Sequence, residues 1–278
     1  MRDPRWSQVI LLQPFTTYSP HMAYLEHVVP HVDKFAAITG KYWSKQIKMS
    51  PYARWKSRFF PVELAVDAKD FPQLKPTFNP KGQRKFLYIG NSDPCKNLQY
   101  LALIAKRVGL ASFGTIGAHI PEIKCHGTLN FSLAMSKEIV ATYDFLLLTS
   151  SADANPTVVL EAMAWGLLPI CTPECGYTEV DGVITIPSCD AKKAASMLEN
   201  LNNAENQSLL DLQMRNQDLI RRVFSWEQFC GRIQEIVELP LSTESSIVPD
   251  RSQILTEIFS NRFFLRPSNL IAYTKANL

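Results

Sequence analysis

The stretch TSSADANPTVVLEAMAWGLLPICTPECG, Thr149 to Gly176, contains the end of one apolar run, a helical segment and a second apolar run. Asn155 followed by Pro156 predicts an N-cap residue with proline at the first helical position. The segment therefore predicts a helix that begins at the carboxyl end of a buried strand. In open parallel sheets, ligands bind at that edge, and the free amides at a helix N-terminus attract phosphate.

Glu161 is the only charged residue in this helical segment, with apolar neighbours on both sides. A buried carboxylate without partners costs several kcal/mol, so Glu161 requires strong hydrogen-bond donors. The vicinal hydroxyls of a ribose would supply two donors to one carboxylate. The alternative is a structural glutamate that accepts from backbone amides of a neighbouring loop.

Outside this stretch, short continuous apolar runs alternate with helical periodicity, which is typical of a doubly wound parallel α/β sheet. The predicted strands are 85–89, 145–149, 168–172 and 183–186. The predicted helices are 97–108, 132–143, 156–165, 191–201, 208–223 and 226–239. Before them, residues 7–12 and 34–39 predict two further strands, with a helix around 22–29 between them.

The segment FPQLKPTFNPKG, residues 71–82, has three prolines and a glycine and predicts a linker. We therefore expect a domain boundary near residue 80, and a second one after residue 238, where a loop-like tail at 239–278 begins. Residues 253–259 of that tail predict one more helix.

Bulk composition excludes several classes of protein. The 278 residues carry a net charge of +3, which is too small a bias to indicate nucleic-acid binding. No uninterrupted apolar window reaches the ~18 residues of a membrane-spanning helix. The six cysteines lack the paired spacing of a zinc site, so we expect reduced thiols, no metal, no disulfide framework and a cytoplasmic location.

The motif around Glu161 resembles that of the retaining glycosyltransferases of family 4, which have two facing Rossmann-like domains (GT-B type). In that family an acidic residue precedes a glutamate by eight positions, and a run of the type Ala-Met-Ala-x-Gly-x-Pro and a later glycine follow. Here the two acids are Asp153 and Glu161, the run is AMAWGLLP at 162–169, and the later glycine is Gly176. The resemblance covers about residues 83–236.

The resemblance implies a role for each acid. Glu161 would hold the ribose of the donor, and Asp153, an aspartate where the family usually has glutamate, would approach the transferred hexose. The alternative for Asp153 is simple charge compensation at a helix start. The start of the helix, formed by Asn155, Pro156, Thr157 and Val158, would bind the diphosphate through its free backbone amides, to which proline contributes none.

A second matching segment is KFLYIGNSDPCKNLQYLALIA, residues 85–105. The family has Gly-Arg before this loop and a lysine at its end, and both cations neutralise the diphosphate. Gly90 and Lys96 match the glycine and the lysine, whereas Asn91 stands at the arginine position. We therefore expect Lys96 and Asp153 to be the catalytic residues, with Gly90, Asn91 and Lys96 in the donor-binding loop.

By the same resemblance, residues 81–238 are the donor-binding C-terminal half of such an enzyme, and residues 1–80 are a remnant of the acceptor domain plus the linker. A partner chain could supply the rest. The donor would be a nucleoside-diphosphate sugar, with no tightly bound cofactor, and the acceptor a glycan or lipid-linked glycan of polysaccharide biosynthesis.

The segment KYWSKQIKMSPYARWKSRFF, residues 41–60, has six basic residues, six aromatic residues and no acidic residue. Basic charge with aromatic side chains suits the anionic inner face of a membrane, where lipid-linked acceptors reside. The alternative is a hinge segment whose aromatic side chains pack between domains while its charges are solvated.

Three classes of function remain open at this point. The first is a glycosyltransferase, and the second is a remnant that binds nucleotide sugar without transferring it. The third is a dinucleotide-dependent dehydrogenase. It is disfavoured because no three-glycine fingerprint follows residues 85–89 and no phosphate-binding P-loop occurs.

Overall fold

The computed structural model describes residues 5–18 and 24–241. The chain divides into two compact units, one of Met1–Glu63 with Cys230–Leu278 and a larger one of Leu64–Phe229. The predicted helix at 253–259 lies outside the described residues. The domain boundaries expected from the sequence, near residues 80 and 238, stay a prediction.

The smaller unit contains a three-stranded parallel sheet in the order β1-β2-β3. Its strands are β1 (Ile10–Pro14), β2 (Lys34–Ile38) and β3 (Phe59–Val62), and its short helices are α1 (Leu25–Val28) and α2 (Lys41–Gln46). The first two strands were predicted, although β1 begins three residues later than expected. The sequence did not predict β3, because it lies within the basic and aromatic segment.

The aromatic residues of segment 41–60 contribute to the core of this smaller unit. Trp43, Tyr52 and Trp55 are buried, with 5%, 2% and 2% of their surface exposed. The ring of Phe15 contacts those of Trp55 and Phe59 edge-on, at centroid distances of 6.3 and 4.8 Å. The basic side chains of the segment are largely exposed, among them Lys41, Lys45, Lys48, Arg54 and Lys56.

The larger unit contains a six-stranded sheet that is parallel throughout, in the order β6-β5-β4-β7-β8-β9. This order reverses between β4 and β7 and is that of a doubly wound Rossmann-like sheet, so the predicted fold class is confirmed. The strands are β4 (Phe86–Gly90), β5 (Phe113–Gly117), β6 (Lys124–Cys125), β7 (Phe145–Leu148), β8 (Leu168–Cys171) and β9 (Ile184–Thr185).

Five helices accompany this sheet, and a sixth begins in the larger unit and continues past Phe229 into the smaller one; each of the six lies within two residues of its predicted bounds. They are α3 (Leu98–Val108), α4 (Ala134–Ala141), α5 (Thr157–Trp165), α6 (Ala191–Asn202), α7 (Asn206–Arg222) and α8 (Trp226–Glu238). Helices α3, α6 and α7 have one buried apolar face, as helices that cover a sheet do. Helix α5 is apolar almost all round and lies in the core.

Strand β5 was not predicted from the sequence, although it pairs with β4 in the middle of the sheet. It contains Gly114 and Gly117, and glycine is depleted in strands. The tertiary structure compensates with an aromatic ladder across three strands. The Phe86 ring stacks between those of Phe113 and Phe145, at 5.1 Å from each.

The proline-containing segment 71–82 is held by the larger unit. The amides of Leu74 and Lys75 donate to the Trp165 carbonyl at 2.8 and 3.0 Å. The amide and side chain of Asn79 both donate to the Asp144 carboxylate, at 2.7 Å each. These contacts attach the segment to the amino end of β7 and the end of α5.

Candidate functional site

The candidate site lies at the carboxyl end of the six-stranded sheet, where the strand order reverses between β4 and β7. The loop after β4 contains Gly90 to Lys96, and the loop after β7 contains Thr149 to Pro156. The amide of Ser151 donates to the Cys95 carbonyl at 2.7 Å, so hydrogen bonding joins the two loops. Ligands of open parallel sheets bind in this crevice, which agrees with the position predicted for the donor.

Lys96 and Asp153 form an ion pair across these two loops. The Lys96 ammonium donates to a carboxylate oxygen of Asp153, and the two side chains are 22% and 16% exposed. Burial alone would lower the pKa of Lys96, but the charge and hydrogen bond of Asp153 raise it above its ordinary value. Lys96 is therefore a cation at all physiological pH values.

The sequence predicted separate contacts for these two residues, Lys96 with the diphosphate and Asp153 with the hexose. The structure brings them together, and each is the other's partner. Lys96 ends a short 3-10 turn, Pro94–Lys96, and Asn97 then adopts a left-handed backbone conformation (φ 52°). This local geometry turns the chain from the loop into α3 and places the Lys96 side chain next to Asp153.

Glu161 lies in the second turn of α5 and is half-buried. It has no hydrogen bond or ion pair with any residue that the structure describes. Burial raises the pKa of Glu161 above its ordinary value, and no neighbouring cation lowers it. The alternative of a structural glutamate requires hydrogen bonds from the backbone amides of a neighbouring loop. No amide of the described loops donates to this carboxylate.

Helix α5 begins one residue later than the sequence indicated. Thr157 is the first helical residue and Pro156 the cap residue, so the predicted N-cap role of Asn155 is wrong. The Asn155 carboxamide oxygen instead accepts from the Tyr177 hydroxyl at 2.6 Å, and the side chain is 4% exposed. The Asn155 side chain is therefore engaged by Tyr177 and does not cap the helix, which no local sequence pattern predicts.

The amides of Thr157 and Val158 remain candidates for binding an anion, because the first amides of an α-helix have no partner within the helix. Thr157 and Val158 precede Glu161 by four and three residues. Their backbone amides point toward the amino-terminal end of α5, and Glu161 lies one turn further along the same helix.

The backbone at Gly90 and Asn91 is held by Tyr88 and Gly117. The buried Tyr88 hydroxyl donates to the Asn91 carbonyl at 2.7 Å. A Cβ atom on Gly90 would approach that hydroxyl to 2.6 Å, and one on Gly117 would approach the Gly90 carbonyl oxygen to 2.4 Å. The loop after β4 therefore depends on two glycines and one tyrosine, and the sequence pattern drew attention only to Gly90.

Asn91, at the position where the resembling family has arginine, bonds within its own loop. Its side-chain amide donates to Asp93 at 2.7 Å, and its carboxamide oxygen accepts from the Asp93 amide at 3.2 Å. Asp93 is exposed and adds negative charge to the loop. Lys96 is consequently the only cationic side chain in the loop between β4 and α3.

In the part of the chain that the structure describes, no group of three His, Cys, Asp or Glu side chains could hold a metal ion. The six cysteines are unpaired thiols. Within residues 5–18 and 24–241, no helix is both long and apolar enough to cross a bilayer.

No protein-family model matches the chain, and neither does any curated protein. Among solved structures, it is similar to sucrose-phosphate synthase from Thermosynechococcus elongatus (13% identity, TM-score 0.63, 81% of this chain and 66% of that one). It is also similar to Anabaena Alr3699/HepE, solved with UDP and glucose (12% identity, TM-score 0.61, 83% of this chain and 71% of that one). A third similar structure is TarM from S. aureus (11% identity, TM-score 0.59, 77% of this chain and 46% of that one).

The chain thus spans less than half the length of TarM. Identities this low establish the fold alone, which is the GT-B glycosyltransferase fold of these structures. Assignment to the retaining family 4, made from the motif at 153–176, stays a prediction.

Proposed function

We propose that the carboxyl-end crevice of the larger unit binds the nucleoside-diphosphate-sugar donor of a glycosyltransferase. The observation that carries this proposal is Glu161, a half-buried carboxylate with no partner among the described residues. Such a group is costly unless a ligand supplies donors, and a ribose diol supplies two. Its position at the point where the strand order reverses is the expected place for a nucleotide.

The diphosphate is proposed to bind between the two loops. Amides of Thr157 and Val158 face it from the start of α5, and the backbone of Gly90 and Asn91 approaches it from the loop after β4. Lys96 stabilises the negative charge that develops on the leaving group, which is commonly the largest catalytic contribution. Pro156 and Asn155 shape the approach to the helix, Asn155 through its bond to Tyr177.

Asp153 is proposed to contact the transferred hexose, as the resemblance implies. Because Asp153 pairs with Lys96 in the ligand-free chain, donor binding must reorganise this pair. A diphosphate competes for the Lys96 ammonium, and the Asp153 carboxylate then exchanges this contact for sugar hydroxyls. Retention of configuration would follow from membership in family 4.

The acceptor is proposed to be a glycan or lipid-linked glycan at the cytoplasmic face of a membrane. Exposed lysine and arginine side chains of segment 41–60 would attract anionic lipid, whereas its buried Trp43, Tyr52 and Trp55 would not insert. Turnover is proposed to require a partner chain that contributes to the acceptor side.

The donor site is tested by calorimetric titration of UDP, GDP and ADP into the wild-type chain and Glu161→Ala. We expect one nucleotide to bind and Glu161→Ala to weaken it by at least about 100-fold, since two hydrogen bonds to a charged group are lost. The matched control is Glu199→Ala, an exposed helical glutamate in the same unit. Unchanged affinity in Glu161→Ala, with lower stability, would contradict the proposal.

A second candidate is a nucleotide-sugar-binding protein that performs no transfer. Asn91 favours this second function, because it stands where the resembling family has a cationic arginine and its side chain donates to Asp93. Turnover of the bound nucleotide sugar, assayed with a glycan acceptor, separates the two candidates. Binding without release of free nucleotide under all acceptor conditions would support this second function.

A further inference from the structure

A cavity of about 460 Å³ opens at the opposite, amino-terminal edge of the same sheet. Its lining comes from residues at or just before the starts of β4, β5, β6 and β7, from the 3-10 turn before β5, and from His126, which directly follows the two-residue strand β6. The volume lies within the range of small-molecule sites, roughly 300–1,000 Å³. The residues that line the cavity include Lys85, Leu110, Phe113, Lys124, His126 and Tyr143.

One wall of this cavity is a hydrogen-bonded pair of side chains. His126 Nε2 lies 2.7 Å from the Tyr143 hydroxyl oxygen, and the rings meet edge to face at 5.8 Å between centroids. A Cβ atom at Gly114 would lie 1.9 Å from the same hydroxyl, so only glycine at this position of β5 leaves room for it. Strand β5 thus lacks a side chain where the pair forms.

The charges around the cavity favour an anion. Lys85 and Lys124 line it with exposed side chains, and neither has a carboxylate partner among the described residues. The acidic lining residue, Glu122, lies 3.6 Å from Lys106. Asp144, next to Tyr143 in the chain, is fully buried and already bonded to Lys75 and Asn79.

The remaining wall is apolar, formed by Leu110 and the buried Phe113. Burial and the nearby charge of Lys124 lower the pKa of His126, so the imidazole is neutral at pH 7. A neutral imidazole and a phenol can each donate or accept a hydrogen bond. The cavity therefore combines two cations, an adaptable donor pair and an apolar surface.

We propose that this amino-end cavity is a second ligand site, which takes a small molecule with an anionic group and an apolar or aromatic body. The anionic group lies between Lys85 and Lys124 and accepts from the His126–Tyr143 pair. The body packs against Leu110 and Phe113. This site is separate from the crevice at the carboxyl ends of the strands and does not depend on the function proposed for that crevice.

Phenyl phosphate is a suitable probe. Its binding to the full chain at pH 7 is measured from the NMR signals of the His126 ring. We expect saturable shifts of the ring signals and a rise in the pKa of His126, because a bound anion favours the imidazolium form. Lys85→Ala combined with Lys124→Ala should weaken binding by at least 10-fold. Lys192→Ala, an exposed lysine on α6, is the matched control and should change nothing.

Two further comparisons test the ligand class and the location. Inorganic phosphate and benzyl alcohol should each bind at least 10-fold more weakly than phenyl phosphate, because each lacks one half of the proposed ligand. Lys96→Ala and excess UDP should leave the His126 shifts unchanged. The proposal is overturned if the shifts do not saturate, if the double variant binds as well as wild type, or if UDP displaces the probe.

Discussion

The two ends of strand β7 contain carboxylates in opposite situations. At the amino end, Asp144 is fully buried. It accepts three hydrogen bonds, from the Asn79 amide and side chain and from the Lys85 amide at 2.8 Å, and it forms an ion pair with the Lys75 ammonium at 3.0 Å. Beyond the carboxyl end, Glu161 is half-buried and accepts none from the described residues.

This difference separates a structural carboxylate from a candidate binding residue. Asp144 joins the segment 75–85 to the start of β7, and every oxygen is satisfied by the protein itself. Glu161 destabilises the fold slightly, and under the proposed function a ligand that donates hydrogen bonds would offset that cost. Buried charge alone therefore does not indicate a binding site, whereas buried charge without protein partners makes a residue a candidate.

The largest expected effect is the loss of the amino-end carboxylate. Asp144→Ala should lower the free energy of unfolding by about 3–5 kcal/mol, because the Lys75 ammonium and the amides of Asn79 and Lys85 lose their acceptor. Urea unfolding followed by circular dichroism measures it. Asp181→Ala removes an exposed aspartate 3.6 Å from Arg215 and should cost under about 1 kcal/mol. Equal losses of unfolding free energy in the two variants would show that Asp144 stabilises the fold no more than an exposed aspartate does.

Lys96→Ala tests the carboxyl end. We expect UDP affinity to fall about 10- to 100-fold, the equivalent of one charge-assisted hydrogen bond, while uridine affinity changes less than about twofold. Calorimetric titration of both ligands measures this, with Lys106→Ala, an exposed lysine on α3, as the control. Equal losses for UDP and uridine would show that Lys96 does not act on the phosphates.

Tyr88→Phe tests whether the loop after β4 is positioned for binding. Removal of the hydroxyl frees the Asn91 carbonyl, so the stability should fall by about 1 kcal/mol and UDP affinity by about 5-fold, with uridine affinity unchanged. Thermal unfolding and titration are measured on the same preparation. A stability loss with unchanged UDP affinity would make Tyr88 a purely structural residue.

The smallest expected effect is a gain in stability in Glu161→Gln without ligand. Burial raises the pKa of Glu161 above the ordinary 4.5, so the folded state holds this proton more tightly than the unfolded state. The stability that protonation provides is present below about pH 4.5 and is lost as pH rises through the folded pKa.

Because glutamine carries no charge, Glu161→Gln should melt about 1–2 °C above wild type at pH 8, and this difference should vanish toward pH 4.5. Thermal melts across that pH range provide the measurement. A variant that melts lower than wild type at pH 8 would mean that Glu161 has a stabilising partner within the protein.

Most elements of the larger unit were predictable because their periodicity is strong. Helices α3 to α8 and strands β4, β7 and β8 are long or apolar enough to stand out in the sequence. Strand β5 was missed because Gly114 and Gly117 weaken its pattern, and β3 because Phe59 to Val62 follow a basic stretch. Both strands form because neighbouring strands pair with them.

The candidate site was only partly predictable. The resemblance to family 4 singled out Asp153, Glu161 and Lys96, but it did not indicate that Lys96 and Asp153 pair with each other. Tyr88 lies within the predicted strand 85–89, and nothing local indicates that its hydroxyl reaches the Asn91 carbonyl. The N-cap assignment of Asn155 was wrong because Tyr177, 22 residues later, competes for its side chain.

The sequence by itself determined which residues become strands and helices and that one glutamate would lie in an apolar helix, because periodicity and composition are local properties. The tertiary structure decided the order of the strands, the pairing of Lys96 with Asp153 and the absence of a partner for Glu161 among the described residues. These depend on contacts between residues far apart in the chain, which the packing of the sheet alone brings together.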